Sequence, residues 1–149
     1  PYACADSCGS ATACAGTTCD NAIVVAGSGT FTGDLQAYDN ALDFKDNLFC
    51  TFNGTPIDTP GAEVYFKLES LSAGQVVTFD TGGNRAMFIT ADCNIEPIAC
   101  QGVVLSTGTT SSVTWTVPEG ASDQDFYVII DKRTGAPAPF TYGITVSGP

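Results

Sequence analysis

The chain has 149 residues, of which 44% are apolar and only 14% charged, and its sixteen acids against five bases give a net charge of −11 with no histidine at all. One domain with a sizeable core fits this length, while the charge disfavours phosphate backbones and anionic lipid surfaces as partners. Without histidine, Ser-His-Asp and Cys-His catalysis, histidine-ligated zinc or copper and C-x-x-C-H haem attachment are excluded, and no apolar run approaches the ~18 residues of a membrane-spanning helix.

Residues 1–18 are small, apolar or polar, and carry neither Lys nor Arg. They predict an arm or linker held by its cysteines, ahead of a single β-sandwich domain over 19–149. Nothing resembling a targeting segment precedes Pro1, so the chain reads as a mature product or an excerpt.

From Ala22 onward, short β-rich runs alternate with Gly, Pro, Asn and Asp, the rhythm of an all-β sandwich. AIVVAG and GTFTGDL come first. LQAYDNALDFKDNLF then reads as a short helix or an irregular loop. In GAEVYFKLES, Val64, Phe66 and Leu68 share one face, while Glu63, Tyr65, Lys67 and Glu69 share the other, as a half-buried strand requires. LSAG and QVVTFDT extend it into a hairpin. RAMFITA, IACQGVVLS, SSVTWTVP, DFYVIIDK and FTYGITVS complete about nine strands.

Seven cysteines are present. Cys93 and Cys100 bracket a Pro-containing loop that suits a local disulfide, and Cys19 with Cys50 would clamp the sandwich a second time. Cys4, Cys8 and Cys14 are then left over. A metal site using Cys4, Cys8, Cys14 and Cys19 lacks paired C-x-x-C knuckles and any nearby base to lower the thiol pKa values. A local disulfide inside the arm and a bond to another chain both remain open, and the odd count favours the second for at least one thiol.

Asp39, Asn40, Asp43, Asp46 and Asn47, with Asp34 upstream, gather the hard oxygen ligands that calcium uses, though not in EF-hand spacing; a solvated acidic loop is the alternative. Asp80, Asp123 and Asp125 are weaker candidates. Trp115 shares its phase with Val113 and Val117 and is expected in the core, whereas Tyr65, on a polar phase, is either covered by a neighbour or available to a partner. Asn53-Gly54-Thr55 is both an N-glycosylation sequon and an Asn-Gly turn. No G-x-S-x-G elbow is present, and Lys67 and Lys132 fall on outward phases. No catalytic residues are assigned.

On TTCDNAI, GAEVYFKLESLSAGQVVTFDT, TADCNIEPIAC and DFYVIIDKRTGAPAPFTYGITVS, the stretch from Cys19 to Val146 resembles the bacterial pre-peptidase C-terminal type of secreted β-sandwich. The resemblance implies a jelly-roll-like antiparallel sandwich of about 8–9 strands, stabilised by disulfides, extracellular and non-catalytic. Some relatives bind calcium or polymeric substrates. The arm matches no motif of that family.

Two functions are therefore expected. The first is a structural subunit of a filament, sheath or surface layer, homopolymeric through its arm. The second is a calcium-dependent module for carbohydrate or surface protein. Neither involves nucleic acid or membrane insertion.

Overall fold

The computed structural model of the chain describes residues 16, 18–26, 29–36, 44–59, 63–81, 85–95, 97–106, 112–132 and 139–148. Eleven strands follow in order: β1 (Ile23–Ala26), β2 (Gly29–Gln36), β3 (Thr51–Phe52), β4 (Thr55–Pro56), β5 (Glu63–Leu71), β6 (Val76–Asp80), β7 (Arg85–Thr90), β8 (Gly102–Ser106), β9 (Val113–Thr116), β10 (Gln124–Lys132) and β11 (Pro139–Ser147). No helix forms among the described residues, so the LQAYDNALDFKDNLF stretch is the end of β2 at Leu35 and Gln36 and irregular turn from Phe44 onward, as the loop alternative expects.

Nine strands build two sheets, ordered β1-β5-β10-β7-β8 and β2-β11-β6-β9, and β3-β4 is a separate two-residue ladder. All pairings are antiparallel except β1 on β5. The antiparallel partners are nested: β2 with β11, β5 with β10, β6 with β9, β7 with β8. This is a long hairpin rolled into two sheets, the jelly roll, with β1 added at one rim. Only the innermost pair, β7 and β8, is consecutive in the sandwich.

The nesting corrects one expectation. LSAG does not close a hairpin, because β5 already pairs with β1 and β10, and the chain crosses instead to β6 in the other sheet. Gly74 at φ 85° and Ser70 at φ 60° make that arch, and the Gln75 amide donates to Ser72 O at 3.2 Å. β10 and β11 likewise lie in different sheets.

Between the sheets, Val64, Phe66, Leu68, Met87, Ile89, Val128 and Ile130 meet Val77, Phe79, Trp115, Ile144 and Val146. Period-two alternation places them there, and burying each of the larger side chains contributes roughly 1.5–3 kcal/mol before entropy is subtracted. Trp115 is a core residue, edge-on to Phe126 with ring centroids 5.1 Å apart.

The outer face of the five-stranded sheet is not left to solvent. Tyr65, Ala86, Phe88 and Ile129 form a second core with Cys19, Phe44, Cys50, Ile57, Cys93 and Ile98 from covering segments. Phe44 stacks on Phe88 at 3.7 Å between centroids. Hence all six residues of β7 are buried, and Tyr65, on the phase expected to be polar, is covered by its neighbours.

Gly102, at the start of β8, faces the Trp115 indole so closely that an added Cβ would overlap it. Trp115 is buried and packs edge-on against Phe126, so making room for a methyl group would disturb the core. Gly102→Ala is therefore expected to lower stability by about 1–3 kcal/mol in urea denaturation followed by Trp fluorescence; an unchanged midpoint would show that the indole has room to move.

Candidate functional site

Residues 44–59 and 91–101 lie as two straps across the outer face. Each is pinned by side-chain and backbone bonds as well as by apolar contact. The Phe44 amide donates to Thr59 Oγ1 at 3.2 Å, and Asn47 Nδ2 to Ile98 O at 3.0 Å. The Phe49 amide donates to Asn47 Oδ1 at 2.8 Å, and the Cys100 amide to Phe49 O at 3.0 Å. Asn94 Nδ2 donates to Asp20 Oδ1 at 3.1 Å.

The four sandwich cysteines bond, with partners exchanged from those expected. Cys19 pairs with Cys93 and Cys50 with Cys100, at Cα separations of 5.9 and 4.9 Å. The physical reason is that the 91–101 strap runs along the sheet, so its ends meet different segments: Cys93 lies beside the approach to β1, and Cys100 beside the 44–50 turn. A local Cys93–Cys100 bond would fold the strap on itself. Two disulfides fit an oxidising compartment. Cys4, Cys8 and Cys14 lie outside the described residues.

Of Asp39, Asp43 and Asp46, the acids expected to hold calcium, Asp46 alone lies among the described residues. Asp46 is exposed on a turn, Asn47 spends its amide group on the strap, and Asp39 and Asp43 lie outside the described residues. Among the described residues, no three His, Cys, Asp or Glu side chains gather as a metal-ligand group. Asp125 accepts from the Ser70 amide at 3.0 Å and pairs with Lys67 at 3.5 Å, a structural role. Asp123 occupies a left-handed turn position at φ 51°, and Asp80 is exposed at the end of β6.

Lys67 is no candidate base. Tyr127 first, then Asp125 and Glu69, hold its ammonium above the ordinary lysine value. Arg85 is buried at the end of the inner core, and desolvation lowers it to about 10, which still leaves it charged at neutral pH. Glu63 and Asp131, directly opposed on β5 and β10, are buried on the outer face. Their burial was not legible from alternation, which put Glu63 on a solvent phase.

Asn53 and Gly54, at φ 53° and 82°, make the two-residue turn between β3 and β4. Both central residues have positive φ, as a type I′ turn needs, and the sequon thus sits on an exposed tip.

The outward side of the straps carries a feature that the sequence alone did not single out. Leu48 is 75% exposed, Phe49 62%, Ile95 61% and Phe52 36%. Phe49 and Thr51 face Cys100, Gln101, Gly102 and Val103 across a cleft of about 220 Å³. A second cleft of about 200 Å³ lies on the other side of Gln101, between Thr90 and Ile95. The signal was the apolar NLFCTF run around Cys50, in a stretch otherwise dominated by acids and amides.

No protein-family model matches the chain, and no curated protein sequence does. Solved structures similar to it include a periplasmic inhibitor of g-type lysozyme from Aeromonas hydrophila, at 11% identity and TM-score 0.44 over 84% of this chain and 96% of that one. The pre-peptidase C-terminal domain of collagenase from Bacillus anthracis is similar at 11% identity and TM-score 0.46, over 84% and 93% of the two chains. A carbohydrate-binding module of Clostridium stercorarium in complex with cellobiose is similar at 14% identity and TM-score 0.38, over 78% and 94%. The type of sandwich that the sequence resembles is thus represented among them.

Peptide mapping without reduction is expected to recover the Cys19–Cys93 and Cys50–Cys100 linkages, and a Cys93–Cys100 peptide would refute the strap geometry. These bonds span sequence separations of 74 and 50 residues. Replacing Cys50 and Cys100 together by Ser should then cost about 4 kcal/mol in the chain-entropy model, read as a lower denaturation midpoint.

Proposed function

We propose that the chain is a non-catalytic structural subunit of an extracellular assembly, binding copies of itself. The observation that carries this reading is the exposure of four large apolar side chains, Leu48, Phe49, Phe52 and Ile95, on the disulfide-stapled straps of an acidic domain. Large exposed apolar side chains gathered on one face mark interaction sites. Here they sit on segments already ordered by the staples, so little conformational entropy is lost when a partner covers them.

The arm adds a covalent possibility. With four of the seven cysteines bonded in the sandwich, Cys4, Cys8 and Cys14 cannot all pair with one another. Gel electrophoresis of purified protein without reductant is expected to show a ladder that collapses on reduction. One monomer band in both lanes would sink the covalent form. Electron microscopy of native material should show regular polymers, and monodisperse particles would refute the assembly itself.

A second reading, calcium-dependent binding of carbohydrate or surface protein, has one observation in its favour. Phe44, next to Asp43 in sequence, stacks on Phe88 of the same outer face on which the carboxylates of Glu63 and Asp131 are buried. Under this reading Asp39, Asp43 and Asp46 remain the ligands. Calcium at ~1 mM should raise the melting temperature, and Asp43→Ala should abolish the rise. A melting temperature indifferent to both calcium and chelator counts against it.

A further inference from the structure

We propose that residues 3–15 of one copy add as a strand to the open edge of β8 in the next copy, beneath Phe49; this contact rests on the self-assembly proposed above and names its two surfaces.

β8 is the rim of the five-stranded sheet and, among the described residues, pairs with β7 alone. Its sequence, GVVLS, holds no charge and no Pro, the usual devices that keep a rim strand from pairing further. Main-chain donors and acceptors along such a rim take an extended segment, and side-chain pockets beside it choose which one. The pocket here is the cleft of about 220 Å³ between Phe49, Thr51 and the stretch Cys100 to Val103. It has room for the side chains that an added strand would turn towards it.

The arm matches that requirement. In an extended conformation, Ala3, Ala5, Ser7, Gly9, Ala11, Ala13 and Ala15 fall on one face, all small, while Cys4, Asp6, Cys8, Ser10, Thr12 and Cys14 fall on the other. The small face fits the cleft, and the face bearing all three arm cysteines turns away from it. At least fifteen residues precede Gly16, and extended they reach up to ~50 Å, enough to leave one copy and run the full length of β8 in another.

The point where the arm joins the domain is also fixed. Gly16 O accepts from the Tyr65 amide at 2.8 Å, on the β1 side of β5. Donor and acceptor thus lie at opposite rims of one sheet, four strand spacings or ~19 Å apart. Such a contact is heterologous, and repeating it builds an open chain of subunits.

Two full-length variants test it, both made in a parent chain carrying Cys4→Ser, Cys8→Ser and Cys14→Ser, which serves as the unaltered protein, so that only the non-covalent contact is read and the strap disulfides Cys19–Cys93 and Cys50–Cys100 stay intact. One carries Ala5→Arg and Ala11→Arg in the arm; the other carries Phe49→Asp at the cleft. By sedimentation velocity, each alone should be monomeric at concentrations where the unaltered protein polymerises. Mixed one to one, they should form dimers and nothing larger, since one retains a working arm and the other a working edge. Thr51→Arg, which fills the same cleft from β3, replaces Phe49→Asp if that variant melts early. Polymerisation of either variant alone, or a mixture of folded variants that stays monomeric, overturns the contact while leaving assembly standing. An unaltered protein that remains monomeric, as it would if each arm covered its own edge, overturns both.

Discussion

The outer face of the five-stranded sheet is buried because two disulfides hold two straps against it, and the rest of the surface follows from that constraint. An antiparallel sheet in a sandwich normally presents one polar face to water. Here Tyr65, Ala86, Phe88 and Ile129 point outward into a second core with Phe44, Ile57 and Ile98. Among the described residues the straps contain no regular structure beyond the one two-residue ladder of β3 and β4, so the disulfides add to the apolar contacts and hydrogen bonds that pin them. Each bond restricts a long stretch of unfolded chain, which is where most of the stabilisation in the entropic account originates. Rigidity gained in this way also fixes the apolar side chains on the outer side of the straps.

The second constraint is topological. In a rolled hairpin, the outermost partners are far apart in sequence, as with β2 and β11, and only β7 and β8 meet as neighbours. Local signals therefore identify strands better than pairings. Period-two alternation placed Val64, Phe66 and Leu68 on the inner face correctly, and nine apolar runs correspond to the nine strands of the two sheets. The same alternation failed for Glu63 and Tyr65, because the covering of their face depends on segments elsewhere in the chain. It failed again at LSAG, whose Gly and Ser are equally suited to a hairpin and to an arch between sheets. The disulfide partners were illegible for a related reason: proximity in sequence favours Cys93 with Cys100, while a strap that runs along a sheet separates its own ends. Of the site, the cysteines were legible as staples, but the exposure of Leu48, Phe49 and Ile95 was not, since apolar residues flanking a cysteine ordinarily accompany it inward.

Charge sets what kind of contact such a subunit can make. Copies carrying −11 repel one another, and that repulsion is screened only beyond ~8 Å at physiological ionic strength. A contact built on ion pairs would need bases that the chain scarcely has, with five Lys and Arg in total. β8 has no charged residue, and residues 3–15 have one, Asp6. Joining them brings main-chain groups and small side chains together while the acids remain distributed over the other surfaces. In such a proposed assembly the same field would disfavour lateral contacts without complementary backbone, so growth would follow the direction in which an uncharged edge meets an almost uncharged strand. In the proposed assembly, acidity would keep free copies apart until the edge contact forms.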